Sequence, residues 1–160
     1  MSKHKKTYRS PLFYVGDKYK LYPKISKYFP KAVNRFIEPF TGGGSVFLNI
    51  TANEYLLNDI DSNVIDIHNF LIEQAENPKT FFDEAFKIIK KYNLSHSYIK
   101  DIVPQKLKDE WKKTYYAKFN KEGCNKLKVD YNSSNEKSVL HLYLLLIYGF
   151  NRMLRFNSKG

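Results

Sequence analysis

The chain has 160 residues, enough to bury a core, and 27 Lys+Arg against 16 Asp+Glu give it a net charge of +11. That balance favours phosphate-rich partners through counterion release. One cysteine excludes an internal disulfide and a cysteine-rich zinc site, the four histidines lack metal-ligand spacing, and the longest apolar run, 139–147, is too short to cross a bilayer. No membrane partner is expected, the basic N-terminus is not followed by a signal-peptide pattern, and a cytoplasmic protein fits.

In chain order, residues 1–10 read as a flexible basic tail with Lys3, Lys5, Lys6 and Arg9. A helix is predicted over 19–28, ending before Pro30. A strand near Phe36, a helix after Ser45, a strand at Glu54 and a helix over 62–74 make a β-α-β-α order, the signature of an α/β fold. From Pro78 the pattern turns helical, with helices predicted over 80–92, 105–120 and 136–148. Residues 121–135, with Gly123 and the polar stretch 132–135, read as a loop or short hairpin. The chain divides near residue 77, into an α/β part (1–77) and a mainly helical part (78–160).

The turn Gly42-Gly43-Gly44 stands between the first strand and an apolar run of helical spacing. Glycines permit positive φ and close approach of a ligand to the backbone, and amides at a helix N-terminus favour an anionic group. Taken alone, a glycine triplet is more often an ordinary turn. Seventeen residues past Gly42 lies Asp59, at the carboxyl end of the second predicted strand. An acid at that distance is where doubly wound folds hold a ribose by its hydroxyls. The bland alternative is a helix cap before Ser62, a role that suits Asp61 better than Asp59.

Four segments carry a resemblance. They are Glu38-Pro39-Phe40-Thr41-Gly42-Gly43-Gly44-Ser45, the upstream Tyr14-Val15-Gly16-Asp17-Lys18, the acidic Asn58-Asp59-Ile60-Asp61, and the closing stretch from Tyr148 to Asn157. In this order they resemble the motifs of Dam-type (D12 class) DNA adenine-N6 methyltransferases. The resemblance implies a Rossmann-like S-adenosylmethionine-dependent fold with a helical target-recognition insertion. It implies S-adenosyl-L-methionine as cofactor and Tyr14, Lys18, Glu38, Phe40, Gly42, Gly44, Ser45 and Asp59 as cofactor-binding residues. Tyr14, where the family often has tryptophan, would pack on the sulfonium, and Lys18 would pair with the carboxylate. Glu38 would anchor either the loop or the cofactor ammonium.

The family's Asp-Pro-Pro-Tyr motif, which holds the target amino group and stacks on the flipped base, is absent, because no two of the six prolines are adjacent. No catalytic residue is therefore assigned. The chain reads as an N-terminal part of such an enzyme with an incomplete sheet, either truncated or completed by a separately encoded C-terminal fragment.

Double-stranded DNA is the implied partner. Residues 78–128 hold thirteen lysines and six acids, so +7 of the +11 sits there, and basic residues alternate with aromatics from Trp111 to Asn120. This reads equally as an amphipathic helix with a solvated lysine face, and such a face also meets phosphates. Lys112, Lys113, Lys118 and Asn120 are the candidate contacts there. In the closing stretch Asn151, Arg152, Arg155 and Phe156 are candidates for base recognition, with arginine the usual bidentate partner of guanine and Phe156 a wedge. The competing reading of the two arginines is a helix C-terminus completing its dipole. The resemblance thus implies site-specific adenine-N6 methylation of duplex DNA, with GATC as a target common among relatives. The alternative is a non-catalytic DNA- or cofactor-binding remnant.

Overall fold

A computed structural model of the chain describes residues 7–12, 14–96 and 102–149. The chain forms two compact units, Met1–His68 and Asn69–Gly160. This division lies inside a helix, whereas the division drawn from sequence follows that helix's end.

The first unit is built on two short runs rich in apolar and aromatic residues. Val33–Glu38 (β1) and Ala52–Leu57 (β2) pair in parallel, with Val33 opposite Ala52 and Glu38 opposite Leu57. Before β1 comes a single helical turn, Tyr22–Ile25 (α1), followed by a 3-10 turn, Ser26–Tyr28. The helix expected over 19–28 is shorter because Pro23 has no N–H to give residue 19. Phe29 is extended, as the residue before Pro30 should be.

Parallel strands need a crossover, and here it is not the helix expected after Ser45. Only a 3-10 turn, Phe47–Asn49, forms. At Asn49 the α pattern stops: its side-chain Nδ2, and not its amide, donates to Ser45 O, at 2.8 Å. That amide bonds Val46 O instead, at 3.0 Å. Asn49 also exchanges both amide groups with the backbone of Tyr8, at 2.7 and 2.8 Å, which ties the N-terminal segment to the crossover.

The next helix, Ser62–Gln74 (α2), matches its predicted span. Asp61 caps it, with Oδ1 accepting from Asn63 N at 3.1 Å. Val64, Ile67 and His68 form its buried stripe at helical spacing.

In the second unit, Pro78–Lys91 (α3) starts with Pro at the first turn and Asn77 as cap. It ends in a Schellman motif: Asn93 takes φ +51 and Leu94 N donates back to Ile89 O at 2.9 Å. Then follow Gln105–Trp111 (α4), Tyr115–Ser133 (α5) and Val139–Tyr148 (α6), the last capped by Ser138. Helix α5 packs on α4 and α6, and α3 packs on α6. Leu127 of α5 and Leu142, Leu144 and Leu146 of α6 are buried in this core. No helix among the described residues is long and apolar enough to cross a membrane.

Two expectations change here. The helix expected over 105–120 is two helices, broken where Lys112 takes φ +33. The loop expected over 121–135 is the second half of α5. Gly123, read as a loop signal, is a packing requirement inside that helix. A Cβ there would collide with the Tyr92 carbonyl oxygen and lie 3.0 Å from Leu94 Cδ2. Gly123→Ala should therefore destabilise the protein by about 1–3 kcal/mol, although alanine is the better helix former by about 1 kcal/mol. A circular-dichroism melt of the variant would read this as a lowered Tm; an unchanged or raised Tm would contradict the packing argument.

Candidate functional site

At the carboxyl ends of β1 and β2 the chain turns through its glycines. Two of the three answer to backbone handedness, Gly42 at φ +48 and Gly44 at φ +78. Gly43 answers to space: a Cβ there would lie 3.0 Å from Tyr14 Cβ and 3.4 Å from Asp17 Oδ1.

The peptide groups of Gly42 are held from two sides. Its N–H donates to Asp59 Oδ2 at 2.7 Å, and its carbonyl accepts from His68 Nε2 at 2.8 Å. A carbonyl only accepts, so His68 carries its proton on Nε2. Burial keeps the imidazole's pKa below the ordinary histidine value, with the Gly42 carbonyl and the Asp59 carboxylate opposing. The ring stands edge-on to Phe47, centroids 5.3 Å apart. Sequence reasoning missed His68. The signal was present: it shares the buried stripe of α2 with Val64 and Ile67, and a buried histidine needs a hydrogen-bond partner.

Facing this turn is a cleft of about 220 Å³, lined by the segments at residues 14–18, 38–46 and by Asp59. Seven of the eight residues expected to bind the cofactor line it: Tyr14, Lys18, Glu38, Phe40, Gly42, Ser45 and Asp59. Gly44 shapes the turn behind it, where a Cβ would meet Phe47 and lie 2.7 Å from His68 Cε1. The helix whose N-terminus was expected to favour an anion is absent, so the turn's polarity comes from its own peptide groups.

Tyr14 packs against Gly42, whose Cβ position would be 3.3 Å from the ring. Burial, with Asp59 and Asp61 nearby, raises the phenol's pKa. Lys18 Nζ donates to Gly16 O at 2.6 Å and keeps its other donors. Phe40 is 84% exposed on the cleft rim, a ring with room to close on a ligand. Ser45 is buried, yet its hydroxyl has no hydrogen-bond partner among the described residues. Glu38 ends β1 and accepts from Phe47 N at 3.2 Å, so it holds the loop. Burial pushes its pKa up to about 7; the Phe47 N–H and Lys18 oppose, and Asp17 adds to the rise.

The orphaned Ser45 hydroxyl, the apolar faces of Tyr14 and Phe40, and carboxylates beside a lysine suit a polar, zwitterionic ligand with an aromatic part. The residues present therefore fit S-adenosylmethionine.

In the helical unit Lys112 and Lys113 are exposed at the corner between α4 and α5. Lys118 reaches back over the Trp111 ring, 3.6 Å from its centroid, and is also exposed. Asn120 is a correction. It is buried, with Oδ1 accepting from Ser95 N at 2.7 Å and Nδ2 donating to Ser95 Oγ at 2.9 Å. Tyr148 OH completes this lock by donating to Ser95 O at 2.5 Å. A side chain spent internally on both ends offers nothing to DNA. The remaining expected DNA contacts, Asn151, Arg152, Arg155 and Phe156, lie outside the described residues.

A family model described as "D12 class N6 adenine-specific DNA methyltransferase" matches residues 14–160. Among similar proteins, the DNA adenine methylase of Haemophilus influenzae is 33% identical over 163 residues, covering 99% of this chain and 46% of that protein. The DNA adenine methylase of Escherichia coli (strain K12) is 29% identical over 152 residues, covering 95% of this chain and 45% of its own length. Modification methylase StsI of Streptococcus sanguinis is 29% identical over 159 residues, covering 99% of this chain and 20% of that protein. The chain thus spans less than half the length of these relatives.

Glu38 generates a pH prediction. Its folded pKa of about 7 lies above the ordinary 4.5, so ionising it costs folding stability. Its contribution is most favourable below pH 4.5, is lost as pH rises toward 7, and is flat above. At ~1.4 kcal/mol per pKa unit, reduced by the solvent that reaches the carboxyl, the loss is about 1–3 kcal/mol. Glu38→Gln should remove it, so the Tm advantage of the variant over the parent should grow from pH 5 to pH 8. A constant difference across that range would refute the assignment.

Proposed function

The chain belongs to the D12 class of N6 adenine-specific DNA methyltransferases, and on that premise we propose that it binds S-adenosylmethionine and duplex DNA for adenine-N6 methylation. The observation that carries the cofactor reading is the glycine turn, with Gly42 held by Asp59 and His68 at the mouth of a cleft on the strands' carboxyl ends. Such a crevice is where open α/β sheets bind nucleotides. A Rossmann-like fold is the architecture this supports, with residues 1–77 as cofactor-binding part and 78–160 as target-recognition part.

Bound S-adenosylmethionine supplies an electrophilic sulfonium methyl for the amino nitrogen of a flipped adenine. The chain's residues bind and orient. Asp59 uses one oxygen on Gly42 and the other on Asp61 N, at 3.1 Å, and each oxygen keeps a lone pair for a ribose hydroxyl. Tyr14 and Phe40 offer π-faces to the sulfonium. Lys18 offers donors to the carboxylate. Lys112, Lys113 and Lys118 give phosphate affinity and register.

Parallel sheets normally bury both faces, yet Ile37 and Leu56, on adjacent paired positions, are each more than half exposed. We read this as an unfinished sheet whose remaining strands, together with the acceptor for the adenine amino group, come from outside these 160 residues. The absence of an Asp-Pro-Pro-Tyr motif favours, as a second reading, a module that binds without transferring.

Two experiments test this. Transfer of labelled methyl from S-adenosylmethionine to a GATC-containing duplex, with calorimetric binding beside it, should show cofactor affinity that falls about tenfold or more in Asp59→Ala. Binding without transfer fits an enzyme awaiting its other half as well as a binding module, and adding a polypeptide that carries the Asp-Pro-Pro-Tyr motif separates the two; no binding refutes both. Replacing Lys112 and Lys113 by glutamine should weaken DNA binding regardless of sequence and reduce the slope of log K against log salt by about 2. An unchanged slope would remove the α4–α5 corner from the interface.

A further inference from the structure

The cleft contains a third carboxylate that neither the sequence reading nor the turn's own hydrogen bonding uses. Asp17 closes the turn 14–17, its N–H donating to Tyr14 O at 3.1 Å, with Gly16 at φ +80. Asp17 is among the residues lining the cleft, and its carboxyl lies over the middle of the glycine turn, 3.4 Å from where a Gly43 Cβ would stand. Its Oδ1 is buried and has no hydrogen-bond partner among the described residues. An unpaired buried carboxylate oxygen is costly, so one bordering a cleft calls for a donor, and a bound ligand can supply it.

The other two carboxylates of the cleft already accept from backbone amides. Asp59 takes one with each oxygen, and Glu38 takes the Phe47 amide through one of its two. The ionised form of Glu38 is further disfavoured by burial. Lys18 turns to Gly16 O and not to Asp17. Neighbours in sequence, Asp17 and Lys18 thus present an acceptor and a cation separately to the same cleft. That is the complement of an α-amino acid zwitterion. The Ser45 hydroxyl, also buried and unpartnered, lines the same space and marks it as built for a polar group.

We infer that Asp17 accepts the α-ammonium of the methyl donor and makes the cleft select cofactors that retain a free amino group. This rests on the cofactor reading above. A carboxylate only accepts, so its ligand must donate, and an ammonium donates three hydrogens with matching charge. Selection follows because a ligand without the amino group leaves Oδ1 unpaired.

The test is calorimetric titration of the full chain and of Asp17→Asn with three ligands. These are S-adenosylhomocysteine, its deaminated counterpart and 5′-methylthioadenosine. The parent should bind S-adenosylhomocysteine about tenfold or more tighter than the deaminated compound. Asp17→Asn should abolish that preference by weakening S-adenosylhomocysteine alone, with Tm unchanged or raised because no internal bond is lost. Equal weakening of all three ligands, or a lowered Tm, would make Asp17 a turn-forming residue and overturn the inference. Unchanged S-adenosylhomocysteine affinity in both Asp17→Asn and Asp17→Gly would overturn it too. If the parent binds none of the three, the cofactor reading fails, and the inference with it. Asp17→Gly, which keeps no side-chain acceptor, repeats the comparison should asparagine hydrogen-bond to the ammonium through its carbonyl.

Discussion

Everything at the strand ends depends on one residue's peptide groups. Gly42 gives its N–H to Asp59 and its carbonyl to His68, and the residue on each side has little freedom left. Because Asp59 follows β2 and His68 sits on α2, the two bonds convert the register of the sheet and the docking of a helix into the shape of a loop. A glycine turn is floppy by itself. Held by two buried or half-buried side chains, it becomes a rigid wall. The parallel ladder continues into it through Asn58 N to Glu38 O and Thr41 N to Asn58 O, both 2.9 Å. Glu38 and Asp59 therefore stand at a distance set by backbone pairing.

The helical unit solves a different problem. It must keep a strongly cationic surface folded, and it does so with a few buried polar contacts among its leucines. Asn120 and Tyr148 both close on Ser95, joining α5 and the end of α6 to the segment that follows α3. Burial drives the Tyr148 phenol to a pKa of about 12, so its proton stays in that bond across any physiological pH. Lysines are left for the outside, with Lys118 stabilised on Trp111 and the corner lysines Lys112 and Lys113 in solvent.

Much of this was legible. The strands near Phe36 and Glu54, the span of α2 and the cap at Asp61 follow from apolar periodicity and turn chemistry, and seven residues that the family resemblance implied line one cleft. The misses come from hydrogen bonds and close packing, some local and some between distant positions, that periodicity does not register. At Asn49 the side chain, and not the amide, bonds the Ser45 carbonyl, and the crossover is a 3-10 turn. Gly123 looked like a loop residue because the Tyr92 carbonyl it makes room for is thirty-one positions away. Asn120, among lysines and aromatics, looked like a surface amide until its partner Ser95 was known. His68 was visible only as a member of a buried stripe, with no local sign that its target was Gly42.

The three glycines also bear on how this loop can diverge. At positions 42 and 44 the constraint is chirality, which no neighbouring change relieves. At position 43 the constraint is crowding by Tyr14 Cβ and the Asp17 carboxyl, which a shift of the 14–17 turn relieves. The triplet is thus one rigid pair around a negotiable centre. Variation at 43 is coupled to residues 14 and 17 near the chain's start, so a loop transplanted between relatives carries its fit only when those two positions travel with it.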